Sequence, residues 1–140
     1  MVNNCPFCNL SSKEVILKNG KSVSVISSNP RLMPGHLLVI IKRHVQKLSE
    51  LTQEERVELL ETLIEFEEKI LSKLAPGCDI RQHYHPFLEN DEVAVNHFHF
   101  HLQPREFKDE LWKKTQRFEK SIFQELSTEE KEKILQLLGG

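Results

Sequence analysis

Apolar residues follow three rhythms along this chain. Glu14–Lys18 reads as a short strand, and in Lys21–Ser27 polar and apolar residues alternate, with Val23 and Val25 sharing a face. Asn19-Gly20 lies between these segments and predicts a hairpin. After a loop with two prolines and a glycine at Asn29–Gly35, His36–Ile41 is an almost unbroken apolar run, the pattern of a central strand. Thr52–Leu74 changes to helical spacing. Thr52 and Glu55 predict a capping box, and Pro76-Gly77 a stop. Its expected buried stripe is Val57, Leu60, Leu63, Ile64, Ile70, Leu71 and Leu74. Asp79–Phe87 and Val93–Gln103 read as two further strands, the second stopped by Pro104, which cannot donate to a ladder. From Glu106 the pattern is helical again, with Leu111, Thr115, Phe118 and Ile122 three to four apart. A second capping box, Ser127 with Glu130, precedes Ile134, Leu135, Leu137 and Leu138. The expectation is an α+β sheet domain over residues 1–105, with a helical extension, 106–140, packed on it.

Composition adds few constraints. A length of 140 residues suits one core, and a net charge of −2 provides no global field toward nucleic acid or an anionic membrane, so an anionic substrate must be held by local groups. No apolar run spans a bilayer, and Met-Val-Asn-Asn-Cys-Pro has no signal-peptide pattern, so a cytoplasmic setting is expected. Three cysteines, two of them in Cys5-x-x-Cys8, do not suit a secreted disulfide framework. Cys78 reads as a small buried residue.

The most informative segment is His97-Phe-His-Phe-His101. On a strand, alternate side chains share a face, so three imidazoles would point one way and Phe98, Phe100 and Leu102 the other. Imidazole at that density suits either metal ligation or nucleophilic and proton-transfer chemistry. Residues two apart on a strand lie roughly 6.5–7 Å apart, so three of them reach one ion only with favourable twist.

His97-Phe-His-Phe-His-Leu-Gln103 resembles the histidine-triad (HIT) motif. Pro34-Gly35-His36-Leu-Leu-Val-Ile-Ile-Lys42-Arg43-His44 resembles that family's upstream hallmark. Cys5-Pro-Phe-Cys8 is similar to the N-terminal pair of its zinc-bearing members. The resemblance covers about Cys5 to Arg105. It implies a HIT-like antiparallel sheet with one long helix, and commonly a homodimer. It also implies nucleotidyl transfer to water or another acceptor, on substrates such as dinucleoside polyphosphates or nucleoside phosphoramidates. His99 would be the nucleophile, His101 would hydrogen-bond phosphate or leaving group, and His36 would buttress them. Structural zinc would be held by Cys5, Cys8, His44 and His97. An alternative, zinc with a bound water, needs an open coordination position.

The chain departs from the pattern where relatives carry a glycine-glutamine pair and a Ser or Thr that grip phosphate; here those positions are Glu92, Val93 and Ala94. They favour the alternative of a catalytically weak nucleotide-binding or scaffold protein. The ribose-binding position falls at Ser28, with Asn29 adjacent. Gln103 stands where an apolar residue is usual, and its amide is a candidate nucleotide contact. Arg81, His83 and His85 alternate in a segment that the family places beside the triad, and Arg81 is a candidate phosphate ligand.

Overall fold

Five strands pair into one antiparallel sheet in the order β1-β2-β3-β5-β4. They are β1 (Ile16–Asn19), β2 (Val23–Ser27), β3 (Leu37–Ile41), β4 (Gly77–Gln82) and β5 (His99–Arg105). The computed structural model describes residues 5–11, 14–90 and 94–140. The central position of β3 follows from its sequence, since all five of its residues are buried. The first hairpin turns over Gly20–Ser22 rather than Asn19-Gly20, because Asn19 is already paired with Ser24 and the Gly20 N–H donates to the Val23 carbonyl at 2.8 Å. Gly35 has φ +80°, and a Cβ there would meet Pro104 Cγ at 3.1 Å, so the turn before β3 requires glycine twice over.

Helix α1 (Gln53–Lys73) starts at the expected capping box: Thr52 Oγ1 accepts from the Glu55 N–H at 3.2 Å, and Glu55 Oε1 accepts from the Thr52 N–H at 2.8 Å. Its buried face differs from the expected stripe. Leu63 and Ile70 do turn inward, together with Leu59, Thr62 and Phe66, whereas Val57, Leu60, Ile64, Leu71 and Leu74 are exposed. The helix carries two apolar stripes, and the sheet takes the one with bulky Phe66. Leu59, Leu63, Phe66 and Ile70 pack with Val23, Val25, Val39, Ile41, Phe98 and Leu102 in the main core. Truncating Phe66 to Ala there would cost about 3–5 kcal/mol. Cys78 is only partly buried at the margin of this core.

The sheet's other face carries a smaller cluster, Ile26, Leu38 and Ile40, covered by Phe7 and Leu10. His101 pairs with Leu38 and His99 with Ile40, which puts both imidazoles on this second face. Two expected strands have different limits. Regular pairing on β4 ends at Gln82, so His83 to Phe87 leave the sheet. β5 begins only at His99, and it runs through Pro104 rather than stopping there. Pro104 is tolerated because β3 ends opposite Leu102, and β5 has β4 alone as partner at that point.

Residues up to Phe107 form one compact unit and Lys108–Gly140 another. The second contains a π-helical turn (Trp112–Gln116), the short α2 (Arg117–Glu119), a 3-10 turn (Lys120–Ile122) and α3 (Thr128–Leu138). Residues 106–110, expected to be helical, hold only the first residue of a helix, Glu110. α3 has the second capping box, with Ser127 Oγ accepting from the Glu130 N–H and Glu130 Oε2 from the Ser127 N–H. Among the described residues, no helix is long and apolar enough to cross a membrane.

Candidate active site and metal centre

His97 falls just before β5 rather than on it, and its side chain serves a separate cluster. Cys5 and Cys8 come from the N-terminal turn, and His44 from the loop after β3. The ligand atoms of Cys5, Cys8, His44 and His97 all lie within 4.8 Å of one another. His97 Nδ1 is 3.2 Å from Cys5 Sγ, 3.5 Å from Cys8 Sγ and 3.1 Å from His44 Nδ1, while Cys8 Sγ is 3.2 Å from His44 Nδ1. The far side of the His97 ring fixes its tautomer: Nε2–H donates to the Ile41 carbonyl at 2.5 Å, so Nδ1 presents a lone pair to the cluster. A ligating histidine held through its other nitrogen by a carbonyl is the usual support of a metal site. Burial raises the Cys5 thiol above its ordinary value and is the main influence lowering His97. Two sulfurs and two ring nitrogens converging at these separations fit a tetrahedral cation that takes thiolate and imidazole, as zinc does.

His99 and His101 have complementary tautomers. His99 Nδ1–H donates to the His97 carbonyl at 2.6 Å, which leaves the lone pair on Nε2. The relay to His101 starts at a backbone donor. The Leu32 N–H donates to His36 Nδ1 at 3.1 Å, so His36 carries its proton on Nε2. That Nε2–H donates to His101 Nδ1 at 2.9 Å, so His101 carries its own proton on Nε2. One imidazole therefore offers an electron pair and its neighbour an N–H. Their ring centroids are 4.9 Å apart. All three rings favour neutrality, chiefly because burial penalises the cation. Burial, with the charge of His99, lowers His36 to about 4. Burial, followed by His99, His36, His83 and Arg81, lowers His101 to about 3. Burial lowers His99 against the opposing hydrogen bond to His97.

His36, His99 and His101 line one side of a cavity of about 980 Å³. Ser28 and Asn29 stand on its rim, with Ile26, Leu38, Leu32 and Phe7 as apolar wall and Glu14 and Arg31 as charged members. Phe7 meets the His99 ring edge-on, with centroids 4.9 Å apart. The Ser28 hydroxyl donates to the Pro30 carbonyl at 2.8 Å, so its oxygen is the part left to accept. A volume of this order suits a small-molecule ligand.

The structure brings His36, His99, His101, Ser28 and Asn29 to this cavity and groups Cys5, Cys8, His44 and His97 beside it. Arg81 and Gln103 are not on the cavity wall. Arg81 is exposed on β4 opposite His101, and Gln103 is buried opposite Asp79, with Oε1 unpartnered among the described residues. Glu92 and Val93 lie outside the described residues. The role of Phe7 was not foreseen, although its position between the two cysteines ties it to the cluster and hence to His99. The Leu32 N–H left no trace in the sequence, because any residue but proline supplies one.

The family model of the HIT domain matches residues 10–108. An uncharacterised HIT-like protein of Methanocaldococcus jannaschii is 32% identical over 108 residues, covering 72% of this chain and 78% of the relative. Among solved structures, a HIT family protein from Bacillus anthracis superposes with TM-score 0.70 at 22% identity, covering 97% of this chain and 95% of its own. A zinc-bound histidine triad family protein from Mycobacterium smegmatis gives 0.65 at 22% identity, with 77% and 79% covered. A HIT family hydrolase from Clostridium thermocellum gives 0.60 at 20% identity, with 78% and 96% covered.

Proposed function

The chain belongs to the HIT domain family, and from that premise we propose that it is a nucleotidyl hydrolase or transferase working through a nucleotidyl–His99 intermediate. The observation that carries this reading is the His99 tautomer, with Nδ1–H given to the His97 carbonyl and the Nε2 lone pair left for phosphorus. The Clostridium thermocellum relative, a HIT family hydrolase with the same fold, supports the reaction class.

In this reading the nucleoside occupies the cavity, with its base against Ile26, Leu38 and Phe7 and its ribose near Ser28 and Asn29. His99 Nε2 attacks the α-phosphorus. A nitrogen–phosphorus bond forms, and the bond to the leaving group breaks with its electron pair going to the departing atom. His101 Nε2–H hydrogen-bonds a phosphate oxygen or the leaving group, where charge develops. His36 acts as a positioning residue, since its Nε2–H fixes which nitrogen of His101 carries the proton. Water then attacks phosphorus, and its proton passes to solvent. The nitrogen–phosphorus bond breaks, and its pair returns to Nε2.

Cys5, Cys8, His44 and His97 would hold zinc, in keeping with the zinc-bound Mycobacterium smegmatis relative. With four protein ligands the ion would have a structural role, tying the N-terminal turn to the segment that leads into β5. The working unit is a homodimer, a reading supported by the outward apolar face of α1.

Product analysis tests the reaction. Incubated with diadenosine tetraphosphate or adenosine phosphoramidate, the protein should release AMP, and His99→Ala should lower the rate by at least about 10³-fold. ADP formed only when phosphate is added would make the acceptor phosphate. Nucleotide binding with no turnover would overturn the enzymatic reading in favour of a binding protein.

A further inference from the structure

The nucleoside cavity lies on the β2 and β3 side of the histidines, while the β4 side carries a second set of groups. Arg81 pairs directly with His101 across the β4–β5 ladder, so both side chains rise from the same face of the sheet. Beyond the end of β4, the His83 ring stands edge-on to His101 with centroids 5.8 Å apart, and His85 is 5.3 Å from His83. All three residues are exposed, unlike the buried ring of His36 on the opposite side. Arg81 is only loosely engaged. Among the described residues its one ion-pair partner is Asp79, at 3.4 Å, and that carboxylate is held more closely, at 2.6 Å, by Arg105. One permanent cation and two imidazoles thus form an open platform on the β4 side of His101. None of them lines the nucleoside cavity.

We propose that Arg81, His83 and His85 hold an anionic leaving group, so that this site is built for nucleotides whose α-phosphorus is joined to a further phosphate chain. The proposal rests on the nucleotidyl-transfer reading and specifies its substrate class. A nucleoside seated over β2 and β3, with its phosphorus at His99, directs the rest of the substrate toward β4. There the departing polyphosphate takes the electron pair of the broken phosphorus–oxygen bond, and its added negative charge develops beside the Arg81 guanidinium, whose fork matches phosphate oxygens. A phosphoramidate expels a small amine instead and has no anionic tail for the platform to hold. Arg81 would thereby supply charge, and His83 and His85 polar ring nitrogens, that Glu92, Val93 and Ala94 do not.

The test compares two substrates and adds one binding measurement. The ratio of kcat/KM on diadenosine tetraphosphate to that on adenosine phosphoramidate is measured for the zinc-loaded wild type, Arg81→Ala, His83→Asn and the double variant, with thermal melts to confirm folding. Binding of inorganic tripolyphosphate is measured by calorimetry on the same proteins. The double variant should lower the ratio at least tenfold and weaken tripolyphosphate at least fivefold, with Arg81→Lys recovering part of both. An unchanged ratio, or equal losses on the two substrates, overturns the proposal. If the wild type turns over neither substrate, the catalytic reading has failed. Tripolyphosphate binding then decides alone: weakened in the double variant it upholds the platform, and unchanged it overturns it.

Discussion

His36 and His101 are neutral in the folded protein over the range in which a free histidine would already be charged. Their folded values of about 4 and about 3 lie below the ordinary 6.5. As pH falls below 6.5 the unfolded chain takes up protons that the folded chain refuses, so the stability these residues contribute is fully present above 6.5 and is lost toward pH 4. His36→Gln keeps one acceptor and one donor but removes one titrating ring. Thermal melts of this variant between pH 7.5 and 4.5 should show a shallower fall in Tm than the wild type. An equal slope would mean that His36 is not held neutral by its surroundings. The candidacy of His101, with His97 and His99, was legible in the sequence, because three histidines at alternate positions are hard to use otherwise; that of His36 came from the motif it shares with Pro34 and Gly35. Their protonation was not, since it depends on the Leu32 N–H and on the carbonyls of His97 and Ile41.

Helix α1 shows what an element's sequence does and does not specify. Its capping box was readable, because Thr52 and Glu55 stand at the required spacing and the bonds are local. Its buried face was not, because two apolar stripes share the helix and only the facing sheet selects between them. Buried Glu55 also joins the cap to the tertiary structure: both its oxygens accept from Arg43, at 2.9 and 3.1 Å, and this pairing holds its carboxyl below the usual range. Glu55→Ala therefore loses the cap bond and leaves Arg43 without its carboxylate. Urea denaturation should give a loss of about 1–2 kcal/mol for the cap alone, with Glu55→Gln costing less because one acceptor remains. β5 has a similar lesson. Proline is a sound stop signal for a strand with neighbours on both sides, yet Pro104 lies where one neighbour has already ended.

For the whole molecule, the rejected stripe of α1 matters most. Val57, Leu60, Ile64 and Leu71, with Leu74 at the C-cap, repeat at intervals of three, four, seven and three, the spacing of a helix–helix seam. Leu60→Lys should shift the protein from dimer to monomer in analytical ultracentrifugation without lowering helix content. A wild type that is already monomeric at micromolar concentration would refute the homodimer. His97 connects the two sites, since its ring belongs to the cysteine cluster while its carbonyl accepts the proton that orients His99. A chelator that withdrew zinc would then act as an inhibitor without entering the substrate cavity. Imidazole nitrogen shifts of His99 would report the loss of its single tautomer, alongside the fall in turnover. In such a protein the supply of zinc would govern the reactivity of a nucleophile that never touches the ion.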